Sequence, residues 1–235
     1  LLLAGFGIKD SVGNILVYQF EDINQYQLIV GVDGDATAVE DEVRETCGTE
    51  QTIAVMSKTV DVEAGGEEMS VTLTVPEDAE RFAQFIRMRG RLDHKEVAFN
   101  STVLTEKAAY KTGAEVGQEF TVHEGDSEQY TLTLGAETEN YAGHYLYMTE
   151  ELYRQVWGEE PEYNSIYVQL PEGTDRDALG EALLQIDDVV MLSFMDDVAD
   201  DFTDMIETLD YVVMVLIISA AALAFLILYN LTNLN

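Results

Sequence analysis

The alternation of apolar and polar positions divides the chain into three regions. Tyr211 to Tyr229 holds no charge, proline or glycine, and carries a tyrosine at each end. Its length of about 19 residues reaches roughly 28 Å as a helix, close to a bilayer's hydrocarbon thickness. Tyrosines at both rims fit the interfacial aromatic belt, so the pattern predicts a transmembrane helix over 211–229. Immediately before it, Val198, Phe202, Met205, Leu209 and Val212 recur at spacings of 4, 3, 4 and 3, a heptad seam. That seam predicts a stalk helix over 197–210; the alternative is an amphipathic helix lying on its own domain. At the other end, Ile8, Val12, Ile15, Leu16, Phe20 and Ile23 fall near helical spacing. Leu1 to Ile8 reads as the last turns of another apolar helix. Residues 1–24 are therefore expected to hold the end of a first membrane helix and a second stalk, in a piece of a longer protein.

Between the stalks the period changes. Tyr26–Val32 is strand-like and Asp33-Gly34-Asp35 makes a turn. Those residues could also open a calcium loop, but the remaining ligand pattern is absent. Ala36–Cys47 predicts a helix stopped by Gly48. Thr52–Val62 and Met69–Val75, with Gly65-Gly66 between them, predict a β-hairpin. Pro76 is expected to open a helix reaching about Phe85. From Val97 the segments shorten: a helix over Leu104–Tyr110, a bend from Gly113 to Gly117, and strands over Glu119–His123 and Tyr130–Leu134. A helix over Glu150–Trp157 and a strand over Ser165–Leu170 follow. Asp175–Leu184 then reads as a helix and Val189–Phe194 as a strand. The fold expected is α+β: an α/β subdomain from 25–96 and 171–196, interrupted by a mixed subdomain over 97–170.

Charge narrows the partners. Forty-five acidic residues against 12 basic ones give a net charge of -33. Such a surface excludes nucleic acid as a partner and argues against docking on anionic lipid. A solvated surface explains the acids, and attraction of cationic peptides is the alternative. Asp196 to Asp210 holds seven acids and no base, which favours the extracytoplasmic side for this end. A single cysteine, Cys47, excludes an internal disulfide framework.

Catalytic patterns are missing from the sequence. His94, His123 and His144 are too scattered for zinc, and no HExxH, GxSxG or phosphate loop occurs. No cofactor is expected, and an enzyme is not. In Asn140–Thr149, NYAGHYLYMT, Tyr145 and Tyr147 alternate onto one face beside Tyr141 and His144. Those four residues either cover a small core or form an aromatic contact surface.

Several blocks carry a family likeness: LLLAGFGIKDSVGNI, EKAAYKTGAEVGQEF, ENYAGHYLYMTEELYRQVWG with YNSIYVQL, and LIISAAALAFLILYNLTNLN. The chain resembles the FtsX/MacB-like permeases of ABC transporters, nearest the long Gram-positive type. The resemblance implies a MacB-like extracytoplasmic domain, with a porter-like part and an inserted sabre-like part, in a multi-pass protein of the bacterial cell membrane. Implied partners are a separate cytosolic ABC ATPase, the permease's other membrane helices, membrane lipid, and a lipid, lipoprotein or peptide substrate. The implied function is relay of ATPase motion to the outer membrane face. Rival readings are an FtsX-type activator of a cell-wall hydrolase and a single-pass receptor ectodomain. Val198, Phe202, Met205 and Leu209 would be the mechanical seam.

Overall fold

The computed structural model describes Ile15 and residues 18–125 and 127–233; in the last helix, the side chains at 205–210, 212, 213, 231 and 233 are outside the described set. Strands β1 (Leu28–Val32), β2 (Thr52–Ala64), β9 (Ser165–Val168) and β10 (Val189–Phe194) form one end of a mixed sheet, in the order β10-β1-β9-β2. Every neighbouring pair among these four is antiparallel. Helix α1 (Ala36–Cys47) joins β1 to β2, and helix α5 (Arg176–Leu183) joins β9 to β10. Two βαβ units thus interleave, each lending a strand to the space between the other's strands, as in ferredoxin-like sheets.

The period-2 alternation of these strands sets both faces. Leu28, Val30, Val32, Ile166 and Val168 meet Val43 and Cys47 of α1 and Leu179 and Leu183 of α5. Ile29, Ile53, Val55 and Tyr167 point the other way, into a second cluster. Helix α1 begins where Asp35 accepts the Thr37 amide and ends where Gly48 turns left-handed at φ 66°, a conformation glycine adopts without steric cost.

Beyond β2 the sheet continues through β3 (Glu67–Pro76), β8 (Tyr145–Met148), β4 (Thr102–Thr105) and β7 (Ala136–Thr138). The hairpin of β5 (Glu119–Glu124) and β6 (Glu128–Thr133) hangs from the far end of β2, with Val62 opposite Val122. Helices α3 (Glu106–Thr112) and α4 (Glu150–Trp157) pack with these strands on a third cluster around Leu73, Leu104, Phe120, Leu146 and Tyr153. Along its open edge β2 pairs with β9 at Thr52–Val55 and with β5 at Asp61–Glu63. In the gap, the Asn164 side chain accepts the Ser57 amide at 2.9 Å and donates to the Ser57 carbonyl at 2.8 Å.

Four expectations change. Pro76 closes β3 opposite Val55; the helix α2 (Ala79–Phe82) starts later, where Asp78 accepts the Glu80 and Arg81 amides. The helix expected from Leu104 starts two residues later, at Glu106, because Leu104 and Thr105 end a strand that β8 and β7 pair on both sides. Strand β9, assigned by spacing to the insert over 97–170, lies between β1 and β2. The first stalk helix falls mostly outside the described residues, and its described end, Tyr18–Ile23, is a π-helical turn.

Helix α6 (Met195–Asn233) leaves β10 directly and runs through the apolar stretch. Leu216, Leu223 and Phe225 there are more than half exposed. Among the described residues no helix is long and apolar enough to cross a membrane, so the transmembrane helix expected over 211–229 is not shown. What is shown is unbroken helix carrying outward apolar side chains.

Candidate functional site: the junction of the two helical ends

β1 and β10 are antiparallel neighbours, with Leu28 opposite Phe194. The π turn before β1 and the helix after β10 therefore leave the sheet at the same end. Phe20 and Phe202 meet there with ring centroids 5.9 Å apart. Val198 packs half-buried against the cluster of Ile23, Tyr26, Phe82, Phe85, Tyr147 and Met195. Burying Phe85 or Ile23 there contributes about 1.5–3 kcal/mol each. Of the expected seam, Val198 and Phe202 face this junction; the side chains of Met205 and Leu209 lie outside the described residues.

The π turn also grips a loop of the distant strands. Gln19 is 2% exposed, and its Oε1 accepts the Tyr141 amide at 2.8 Å and the Ala142 amide at 3.0 Å. Its Nε2 donates to Asn24 Oδ1 at 3.1 Å, which satisfies both ends of a buried amide. Tyr18 stacks on Tyr141 at 6.0 Å. Asp22 reaches Arg87 at 2.5 Å and Arg89 at 2.6 Å. Arg89 in turn bonds Glu139, which is 1% exposed and also accepts from the Tyr141 hydroxyl at 3.2 Å. The Arg89–Asp22 approach is close but off the donor direction, an ion pair rather than a hydrogen bond. Burial opposes the Arg89 charge, and Glu139 and Asp22 outweigh it, raising its pKa. π turns concentrate at functional sites, and this one supplies both Gln19 and Asp22 to the contact.

The aromatic block is divided by the fold. Tyr147 is 2% exposed and stacks on the partly buried Tyr145 at 5.6 Å, and both pack on the second cluster. Burial raises the phenol pKa of both, with Tyr145 adding to the rise at Tyr147. His144 has a buried Nδ1 without a hydrogen-bond partner, while its carbonyl accepts the Thr72 amide at 2.8 Å. Burial first, then the Lys107 charge, lowers its pKa. Tyr141 alone joins the junction, through Gln19, Tyr18 and Glu139.

A second polar group lies across a cleft of about 1020 Å³ between the two ends of the sheet. Lys58 of β2 donates to Glu124 at 2.7 Å and to the Tyr153 hydroxyl at 3.0 Å, and stands 5.4 Å from the Trp157 ring centroid. Trp157 donates to Glu124 at 2.8 Å. Burial alone would raise the Glu124 pKa; the Lys58 and Trp157 hydrogen bonds outweigh it and hold it below the usual value. Neither Gln19, Arg89–Glu139 nor this group was marked by the sequence, because their partners lie tens of residues away.

Among the described residues no group of three or more His, Cys, Asp or Glu side chains is placed to hold a metal ion. Cys47 is buried and its thiol pKa is pushed up to about 11 by burial, which keeps it protonated.

No protein-family model matches the chain, and no curated protein matches it. Solved structures similar to it include the extracellular domain of the noncanonic ABC-type transporter YknZ from Gram-positive bacteria: 14% identity, TM-score 0.46, over 69% of this chain and 92% of that one. The periplasmic region of MacB from Actinobacillus actinomycetemcomitans is similar at 10% identity and TM-score 0.44, over 82% of this chain and 97% of that one. A domain of a putative permease protein from Porphyromonas gingivalis is similar at 18% identity and TM-score 0.38, over 73% of this chain and 88% of that one.

Proposed function

We propose that this chain is the extracytoplasmic domain of an ABC transporter permease and relays motion of a cytosolic ATPase to the outer face of the membrane. The supporting observation is the junction: two helical ends leave adjacent strands and close on one aromatic and ionic core. Displacement of either end is thereby delivered to the sheet without passing through a loose linker. In this reading Tyr211–Tyr229 spans the bilayer, residues 197–210 and the segment ending at Ile23 are the stalks, and the chain is not an enzyme. The interleaved four-stranded unit is the porter-like part, and the strands from β4 to β8 are the sabre-like insert. Lipid, lipoprotein or peptide is the class of substrate moved, and the resemblance in the Tyr141–Tyr147 block and the exit after Tyr229 supports that class.

Phe202→Asp tests the relay. A carboxylate against Phe20 opposes burial of the seam. In the reconstituted permease–ATPase complex the variant should insert in the membrane and still hydrolyse ATP, yet lose transport. Full transport by this variant would show that force travels by another route.

A further inference from the structure

Arg176 occupies a position that its own helix disfavours. It opens α5, where the unpaired amides present the positive end of the helix dipole and acids are the favoured residues. Its guanidinium reaches away from α5 to the root of α6. Nη2 donates to Asp197 Oδ1, and Nη1 donates to Asp196 Oδ2 at 3.4 Å. The guanidinium carbon stands 4.8 Å from the centroid of the Phe194 ring. One side chain thus meets the last residue of β10 and the first turn of the helix that follows it. A planar fork suits two carboxylates and a ring face together. Acids in the first turn of α6 are favoured by that helix's own dipole, which accounts for Asp196 and Asp197 but not for the cation on α5.

These contacts fall on the face of α6 that the junction leaves open. At 3.6 residues per turn successive side chains are about 100° apart, so Asp196 and Asp197 centre roughly 170° from Val198 and Phe202. Val198 packs on the cluster of Ile23 and Tyr26, and Phe202 meets Phe20. Arg176 therefore holds the opposite side of the same helix. Phe202 stands about 8 Å further along the axis than the two aspartates. A rod held on opposite faces at two heights cannot swing to either side without breaking one contact. Held on one face alone, it would be free to hinge where strand becomes helix, at Phe194 and Met195.

Resting on the relay proposed above, we infer that Arg176 is a positioning residue for it. Arg176 fixes the angle between α6 and the sheet, so that movement of α6 turns the four-stranded unit of α1 and α5 with it. The helix runs unbroken from Met195 past Tyr211, and a sideways load at Tyr211 acts on this grip through a lever of roughly 20 Å. Asp196 and Asp197 are more than half exposed, and exposed ion pairs add little to folding stability. Arg176 therefore sets an orientation and does not hold the fold together, which separates it in experiment from a core residue.

The test uses the chain in lipid nanodiscs, with Cys47→Ala to remove the native thiol and spin labels at Glu181→Cys on α5 and Thr203→Cys on α6. Pulsed electron spin resonance should give one narrow distance distribution for this parent. Arg176→Gln should widen it about twofold while the melting temperature moves by no more than about 4 °C. Asp196→Asn with Asp197→Asn should widen it alike, and adding Arg176→Gln to that pair should change nothing further. In the permease–ATPase complex Arg176→Gln should keep ATP turnover and lose most of the transport per ATP. An unchanged distribution in Arg176→Gln overturns the inference, whatever transport does. A wider distribution with full transport also overturns it, since the angle is then irrelevant to the relay. Full transport by Phe202→Asp removes the relay itself, and the distance measurement still decides whether Arg176 sets the angle.

Discussion

Arg89 and Lys58 are the most buried basic side chains among the described ion pairs, and they are held differently. Arg89 sits between carboxylates from separate parts of the chain, Asp22 of the π turn and Glu139 before the aromatic block. Its planar fork serves both at once. Lys58 has one carboxylate, Glu124, and rests against the faces of Tyr153 and Trp157. A compact ammonium on a flexible stem suits that aromatic box. The first arrangement binds three segments that differ in sequence position; the second seals one half of the molecule. Removing a partner should therefore disturb attachment in the first case and local packing in the second.

The largest effect is expected at Glu139. Glu139→Ala leaves Arg89 buried beside one carboxylate, which costs about 3–5 kcal/mol when a buried pair is broken. For a chain of this size that lowers the melting temperature by roughly 6–20 °C in thermal unfolding. Arg89→Met with Glu139→Leu should recover most of the loss, since no charge is then stranded. A fall of under 1 kcal/mol in Glu139→Ala would mean that Arg89 reaches water and the contrast with Lys58 is false.

Next comes Gln19→Ala, which strands the Tyr141 and Ala142 amides and costs about 1–3 kcal/mol. Hydrogen exchange at those two amides should accelerate, while exchange in β5 and β6 stays unchanged. Gln19→Glu keeps an acceptor for both amides and should restore most protection. Uniform acceleration across the sheet would show a general loss of stability instead of a severed contact.

Lys58→Met should cost about 1 kcal/mol, because the half-exposed Glu124 can take up water in place of the ammonium. Its pH dependence carries a sign. Glu124 has a folded pKa below its unfolded value, so the pair's stability is present above about pH 4.5 and is lost as pH falls through the folded value. Urea midpoints of the parent and Lys58→Met should therefore converge in acid. The smallest effect belongs to His144. Its folded pKa lies below 6.5, so the unfolded chain takes up the proton first and stability falls as pH drops below that value. His144→Phe should remove that slope from the midpoint–pH curve.

Local chemistry made much of this fold legible. Gly48 stops α1, Gly65-Gly66 turns the long hairpin, and the apolar run Val189–Phe194 is β10 at its observed bounds. Where the outcome rests on distant partners, the pattern misled. Thr102–Thr105 is followed by good helix formers, and only pairing with both β7 and β8 holds it extended. Strand β9 carries no mark that it returns to the first unit, since its partners are Leu28–Gly31 and Thr52–Val55. The junction divides the same way. Phe202 shows in the heptad spacing, whereas Gln19 is one polar residue on an apolar stripe, and the two amides that it accepts are more than a hundred positions away.

Asn164 has a consequence for how the free stretch of the β2 edge can loosen. Between Val55 and Asp61 the open edge of β2 has no strand beside it, and one carboxamide takes the place of a ladder rung at Ser57. On its other side β2 stays laddered to β3 along this whole stretch, with Ser57 opposite Thr74, so the weak point belongs to one edge only. Water can re-satisfy the Ser57 amide and carbonyl as soon as they are freed. The edge of β2 can thus open at Ser57 for two side-chain hydrogen bonds, while its ladders to β9 and β5 on either side hold the register.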